Sequence, residues 1–143
     1  MNIDIDKLRD FFKQDRFAMN AGIVIEAAGE NFVECSMEIR DMHLNAGNGV
    51  QGGATFTLAD FAFAVHANME LVCGGGGGMT VGQSNSISFL GRPKGKRLIA
   101  RSTRLSKGRN ISVYRIAVTD ELGTPVAEMH GNGFTLKPAG GKA

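Results

Sequence analysis

The chain has 143 residues, enough for one domain with its own core, and a hydrophobic share of 43%, which excludes a disordered or fibrous protein. A formal net charge of +2 gives no strong bulk attraction to polyanions; with one tyrosine and no tryptophan there is little to stack bases, so nucleic acid is not an expected partner. Cys35 and Cys73 lie in apolar runs without metal-ligand spacing and read as free, buried thiols of a reducing compartment, with no metal site.

The N-terminus, MNIDIDKLRDFF, carries acids where a secretion signal carries bases, and it lacks a long apolar core, so a cytoplasmic protein is expected. Ile5, Leu8, Phe11 and Phe12 recur at helical spacing behind Asp4 and Asp6, predicting a short amphipathic helix docked on another element. A strand follows over Ala21 to Ala28, then a turn at Gly29-Glu30-Asn31. Val33, Cys35, Met37 and Ile39 alternate with Glu34, Ser36, Glu38 and Arg40, as in an antiparallel strand with one wet face. Asp41 to Gly49 is a loop rich in Asn and Gly.

Gly52 to Cys73 is the long apolar stretch, rich in alanine and low in β-branched residues, and it predicts one continuous helix. Phe56, Leu58, Phe61, Phe63, Val65 and Met69 spread around its wheel, so it should be buried on all sides. Asp60, His66 and Glu70 interrupt it too often for a membrane span, and no membrane partner is expected. Gly74 to Gly78 is a mobile connector. The remainder reads as strands over Thr80–Leu90, Arg97–Leu105, Ile111–Val118 and Pro125–Leu136. On the first of these, Ser84, Ser86 and Ser88 alternate, a small-residue face suited to a helix or a ligand. Residues 138–143 read as a loose tail. The expected fold class is α+β: about six antiparallel strands curled around one long helix, in a single domain over residues 1–143.

Several motifs exclude more than they assign. Gly47-Asn48-Gly49-Val50-Gln51-Gly52 spells G-x-G-x-x-G, but four successive strands without intervening helices rule against a dinucleotide fold. His43, His66 and His130 form no ligand pattern, and no G-x-S-x-G elbow serves the serines. Asp60 stands apart, since an acid within a buried helix is costly unless it is paired or functional. Gly53 and Asp60 share a helix face but lie about 10 Å apart along the axis. The helix N-terminus offers N–H groups to a carbonyl oxygen or an anion. One reacting group cannot touch both within one helix; two antiparallel copies would bring the N-terminus of one beside the acid of the other. Half of the sixteen basic residues fall between Arg92 and Arg109, and no acid lies between Glu70 and Asp120.

The stretches HLNAGNGVQGGATFTLADFAFA, SNSISFLGRP and RLSKGRNISVYRIAV resemble the phenylacetate-degradation (PaaI-like) type of hotdog-fold acyl-CoA thioesterase, over roughly residues 20–136. The resemblance implies a homodimer with shared active sites, two such dimers commonly forming a tetramer, and hydrolysis of an aryl- or acyl-CoA thioester. It implies roles for Gly53, whose backbone N–H would polarise the thioester carbonyl, for Asp60 as nucleophile or general base, and for Asn45 in positioning the water or the acid. Gln51 stands where the family usually has His; its amide can donate a hydrogen bond but cannot exchange protons near neutral pH. Gly52 completes the glycine pair, and Ser84 or Ser86 would be the small polar residue contributed by the following strand. Arg92, Lys107 and Arg109, flanking turns, are candidates for the phosphates of coenzyme A, which enters as substrate; no other cofactor is implied. Phe56, Phe61, Phe63 and Met69 are either acyl-pocket or core residues. A non-catalytic hotdog protein that holds acyl-CoA is the alternative reading, with Gln51 its main support. A hotdog hydratase fits less well, because Gln51 restores no Asp/His pair at the helix entry.

Overall fold

The structure, a computed structural model, describes residues 1–138, so the tail expected over residues 138–143 lies outside them except for Pro138. Asp4 accepts from the N–H groups of Asp6 and Lys7 and caps α1 (Ile5–Phe12), which buries Leu8 and Phe12. A second helix, α2 (Arg16–Ala21), follows, capped by Asp15, which accepts from the Ala18 N–H at 3.0 Å. This helix was not expected, and it displaces the start of the first strand. Gly22 ends α2 with a left-handed φ of 85°, and the Arg40 guanidinium fills the space where a Cβ would stand. The strand therefore begins at Ile23, two residues later than expected.

The sheet comprises β1 (Ile23–Gly29), β2 (Phe32–Glu38), β3 (Thr80–Phe89), β4 (Arg97–Lys107), β5 (Ile111–Asp120) and β6 (Pro125–Thr135). All neighbours are antiparallel, in the order β1-β2-β4-β5-β6-β3. The central helix α3 (Gly52–Ala67) packs against every one of the six strands, as it can only if the sheet curls around it. Leu58, Ala59, Ala62 and Val65 are fully buried there, and the Phe63 ring meets Tyr114 edge-on at 5.2 Å. The expected architecture is therefore present.

Three details differ from expectation. The helical rod is interrupted: α3 stops at Ala67, Asn68 leaves helical geometry, and α4 (Met69–Cys73) is a separate short helix. Asn68 explains the break. Its Nδ2 donates to Ala64 C=O at 2.9 Å and to Thr80 C=O at 3.0 Å, and its Oδ1 accepts from the Thr80 N–H at 2.7 Å. The side chain thus ties the helix end to the start of β3. Second, α3 is not covered on all sides. Gly53, Phe56, Thr57, Asp60, Ala64 and Ala67 follow one another at helical spacing and are only partly buried, or exposed at Gly53. Third, Cys35 is fully buried but Cys73 only partly so.

The two edges of the sheet differ. At β1, Arg9 reaches across from α1 and donates twice to Ile25 C=O, at 3.0 and 2.8 Å. At β3 the outer edge has no neighbour among the described residues, is ten residues long, and carries no charged side chain. Exposed edges are ordinarily blunted by charge, proline or a covering element.

Candidate functional site

The entry to α3 is built by a tight loop. His43 is buried; its Nε2 donates to Ala21 C=O at 2.8 Å while Nδ1 accepts from the Arg40 N–H at 2.9 Å, so its role is structural. Leu44 and Val50 pair across the loop, and Asn48 takes a left-handed φ of 62° at its tip. Asn45 Oδ1 accepts from the N–H groups of Gly47 at 2.9 Å and Gly49 at 3.1 Å. That oxygen is occupied in shaping the loop, and only the Asn45 amide NH2 remains to be offered to a ligand.

At the helix start, Gln51 is the N-cap. Its Oε1 accepts from the Gly53 N–H at 2.7 Å, and its own C=O accepts from Ala54 and Thr55. Among the described residues, the Gly52 N–H meets no acceptor. The expected donor, Gly53, is therefore occupied, and the free N–H is its neighbour. Gly52, Asn45, Arg92 and Phe89 line one hollow of about 440 Å³, with Arg92 Nη2 lying 3.4 Å from Gly47 C=O. These four belong together.

Asp60 opens into a different hollow, of about 270 Å³, two helical turns along the exposed stripe; Asp15, Phe17, Phe56, Thr57 and Phe61 share it. Among the described residues its carboxylate makes no hydrogen bond or ion pair. Burial, and then the neighbouring Asp15 carboxylate, push the Asp60 pKa above the usual Asp range. Within one chain, as the helix geometry requires, Asp60 and the N-terminal amides do not face the same space. Asp15 and Phe17 were not anticipated. An Asp followed by a short Arg-Phe-Ala-Met run is a cap signal that, read as such, points to α2. Of the apolar candidates, Phe63 and Met69 are core, whereas Phe56 and Phe61 reach the Asp60 hollow.

The serines lie elsewhere. A bulge at Gln83 shifts the β3–β6 register between Gly82 and Ser84. Beyond it the phase reverses, so Asn85 and Ile87 pair with the buried Gly131 and Met129, while Ser86 pairs with the exposed His130. Ser84 and Ser86 thus sit in a shallow groove with His130 and Asn132 on the outer face, away from α3. The alternating serines had been read as a small-residue face suited to a helix or a ligand, and the face they form does not meet α3. Lys107 and Arg109 are also remote from Arg92. They line a cavity of about 460 Å³ at the C-terminal end of α3, some 24 Å of helix from Gly52. Lys107 is ion-paired with Glu70 at 2.5 Å, which holds the Glu70 pKa below its usual range. Among the described residues no cluster of three or more His, Cys, Asp or Glu side chains is placed to share a metal ion, and no helix is long and apolar enough to cross a membrane.

No protein-family model matches the chain. It is 30% identical over 127 residues to the acyl-coenzyme A thioesterase PaaI of Escherichia coli, an alignment covering 87% of this chain and 86% of that protein. The solved structure of the E. coli PaaI protein from the phenylacetic acid degradation operon superposes with a TM-score of 0.82 at 26% identity, over 92% of this chain and 91% of that one. A thioesterase structure from Haemophilus influenzae superposes with a TM-score of 0.85 over 96% and 93% of the two chains; at 20% identity it speaks to the fold alone.

Proposed function

Since this chain belongs to the PaaI-like family of hotdog-fold acyl-CoA thioesterases, we propose that it hydrolyses an aryl- or acyl-CoA thioester at sites completed by a second copy of itself. The observation that carries this reading is the uncovered stripe of α3. It presents an unpaired, half-buried carboxylate, Asp60, and a free N–H, Gly52, about 12 Å apart on one helix. The uncharged edge of β3, at one end of the sheet order, offers the means of pairing. Antiparallel pairing of two β3 edges sets the two α3 helices side by side and running oppositely. The amide end of one then meets the Asp60 of the other.

The chemistry follows from these parts. The thioester carbonyl oxygen accepts from the Gly52 N–H, and from the Gly53 N–H once the Gln51 amide oxygen turns away from it. Negative charge developing on that oxygen is stabilised by donors already aimed at it; one such donor is worth about 3–4 kcal/mol. Asp60 of the second copy either attacks the carbonyl carbon itself or takes the proton of an attacking water. In the first route the C–S bond breaks to leave an acyl–Asp60 anhydride, which water then hydrolyses to free Asp60. In the second the water adds to the carbonyl carbon directly and the C–S bond breaks. In both, CoA leaves as thiolate and takes up a proton, and the acyl group ends as a carboxylic acid. Asn45 contributes its amide NH2, and Arg92, beside the helix entry, is the cation placed for a CoA phosphate.

A thioester panel on the purified protein, read by thiol release, tests the activity. Asp60→Ala should abolish release while the circular dichroism spectrum is retained. Undiminished release by that variant would remove Asp60 from the mechanism.

A further inference from the structure

The cavity at the C-terminal end of α3 holds none of the residues given a role in the chemistry above, and its lining is more polar than apolar. His66 is 3% exposed; its Nδ1 lies 3.0 Å from Ser102 Oγ, and among the described residues its Nε2 meets no hydrogen-bond partner of acceptable geometry. Buried polar atoms are almost always satisfied, and an orphan calls for an explanation. Tyr114, whose ring packs on His66 with centroids 5.0 Å apart, and Ser112 are also buried, and among the described residues neither hydroxyl bonds to another protein group. All three residues line the same cavity of about 460 Å³.

Its charge is as distinctive. Arg104, Lys107 and Arg109 line it, and they belong to the long acid-free segment between Glu70 and Asp120. Glu30 and Glu70 are the acids at the same cavity, and Glu70 is held by Lys107. Among the described residues, Arg104 and Arg109 are in no ion pair. Two unpaired guanidinium groups above uncommitted hydroxyl groups match the several acceptor oxygens of a phosphate better than the two of a carboxylate.

We propose that this cavity binds a phosphate-bearing small molecule, with Arg104 and Arg109 as its charge partners and Tyr114, Ser112 and His66 at its floor. The volume is that of a small-ligand site. Within one chain it lies about one α3 length from the Gly52 entry and about 10 Å of helix beyond Asp60, and the CoA competition below separates the substrate's own phosphate from another source.

Inorganic phosphate is the probe, titrated into the full chain with the His66 ring resonances followed by NMR and the heat by calorimetry. The expected result is a saturable shift at His66. The double variant Arg104→Ala/Arg109→Ala should weaken it at least about tenfold, the scale of losing hydrogen bonds to charged groups. Tyr114→Phe keeps the packing and serves as the second variant, with binding several-fold weaker at an unchanged melting temperature. CoA is then added against phosphate. Competition at His66 identifies the phosphate as the substrate's own; its absence identifies a separate phosphate metabolite, and the site stands in either case. No saturable response at His66, or the same response in both variants as in the parent, overturns the proposal.

Discussion

Asn68→Ala tests how the helix end is tied to the open edge of the sheet. Asn68 is 5% exposed and Thr80 8%, so water does not readily replace what the substitution removes. Three hydrogen bonds of 2.7 to 3.0 Å disappear, and both the N–H and the C=O of Thr80 are left without their partner. Each buried polar group so abandoned costs about 1–3 kcal/mol, giving roughly 2–6 kcal/mol for the pair. With an unfolding entropy of about 2.1 cal/mol/K per residue over the chain, that is a fall in melting temperature of roughly 7–20 °C. The measurement is thermal unfolding at fixed protein concentration, since self-association shifts the midpoint. Because Thr80 begins β3, the variant should also associate more weakly by sedimentation. A fall under about 2 °C would show that Thr80 finds other partners and that the tie is not what orders the edge strand.

Asp60 gives a prediction in pH. An acid whose pKa is raised in the folded state binds its proton more tightly there than when unfolded. It therefore costs stability once ionised, so Asp60→Asn should melt no lower than the parent near neutral pH. Activity needs the carboxylate, so thiol release should fall on acidification through a pKa above the usual Asp range, and a profile flat through that range would count against the assignment. His66 runs the other way. Burial, and then Arg104, lower its pKa to about 4, against contributions from Glu30 and Ser102 that raise it. The unfolded chain takes up that proton first, so stability is lost as pH falls from about 6.5 to 4, by up to about 3 kcal/mol. In His66→Gln that part of the pH dependence should vanish; urea unfolding at several pH values reads it directly.

Much of this was legible beforehand. Period-two alternation located β2 because it has a core face and a wet face, and the intervening turns marked off β4, β5 and β6. The alanine-rich, apolar α3 could be nothing but a central helix. Asp60 was visible because a lone acid in such a run is expensive. Two of the misses depend on contacts between distant residues, and the third on a side chain only two residues away. The break at Asn68 is decided by Thr80, twelve residues on. The inward or outward aim of Ser84 and Ser86 is decided by a bulge that only the β6 register reveals. Gly53 is occupied because the Gln51 side chain folds back onto it.

The sequence by itself determined the central helix, the strands around it and the acid at the centre of the helix, since these follow from local propensity and from the periodicity of apolar residues. Only the tertiary structure decided which α3 face stays uncovered, that Arg92 and Lys107 lie at opposite ends of the helix, and that His66 sits with an unsatisfied nitrogen beneath a basic cavity. Those are matters of how strands curl and which partners they bring near, and no local pattern encodes them.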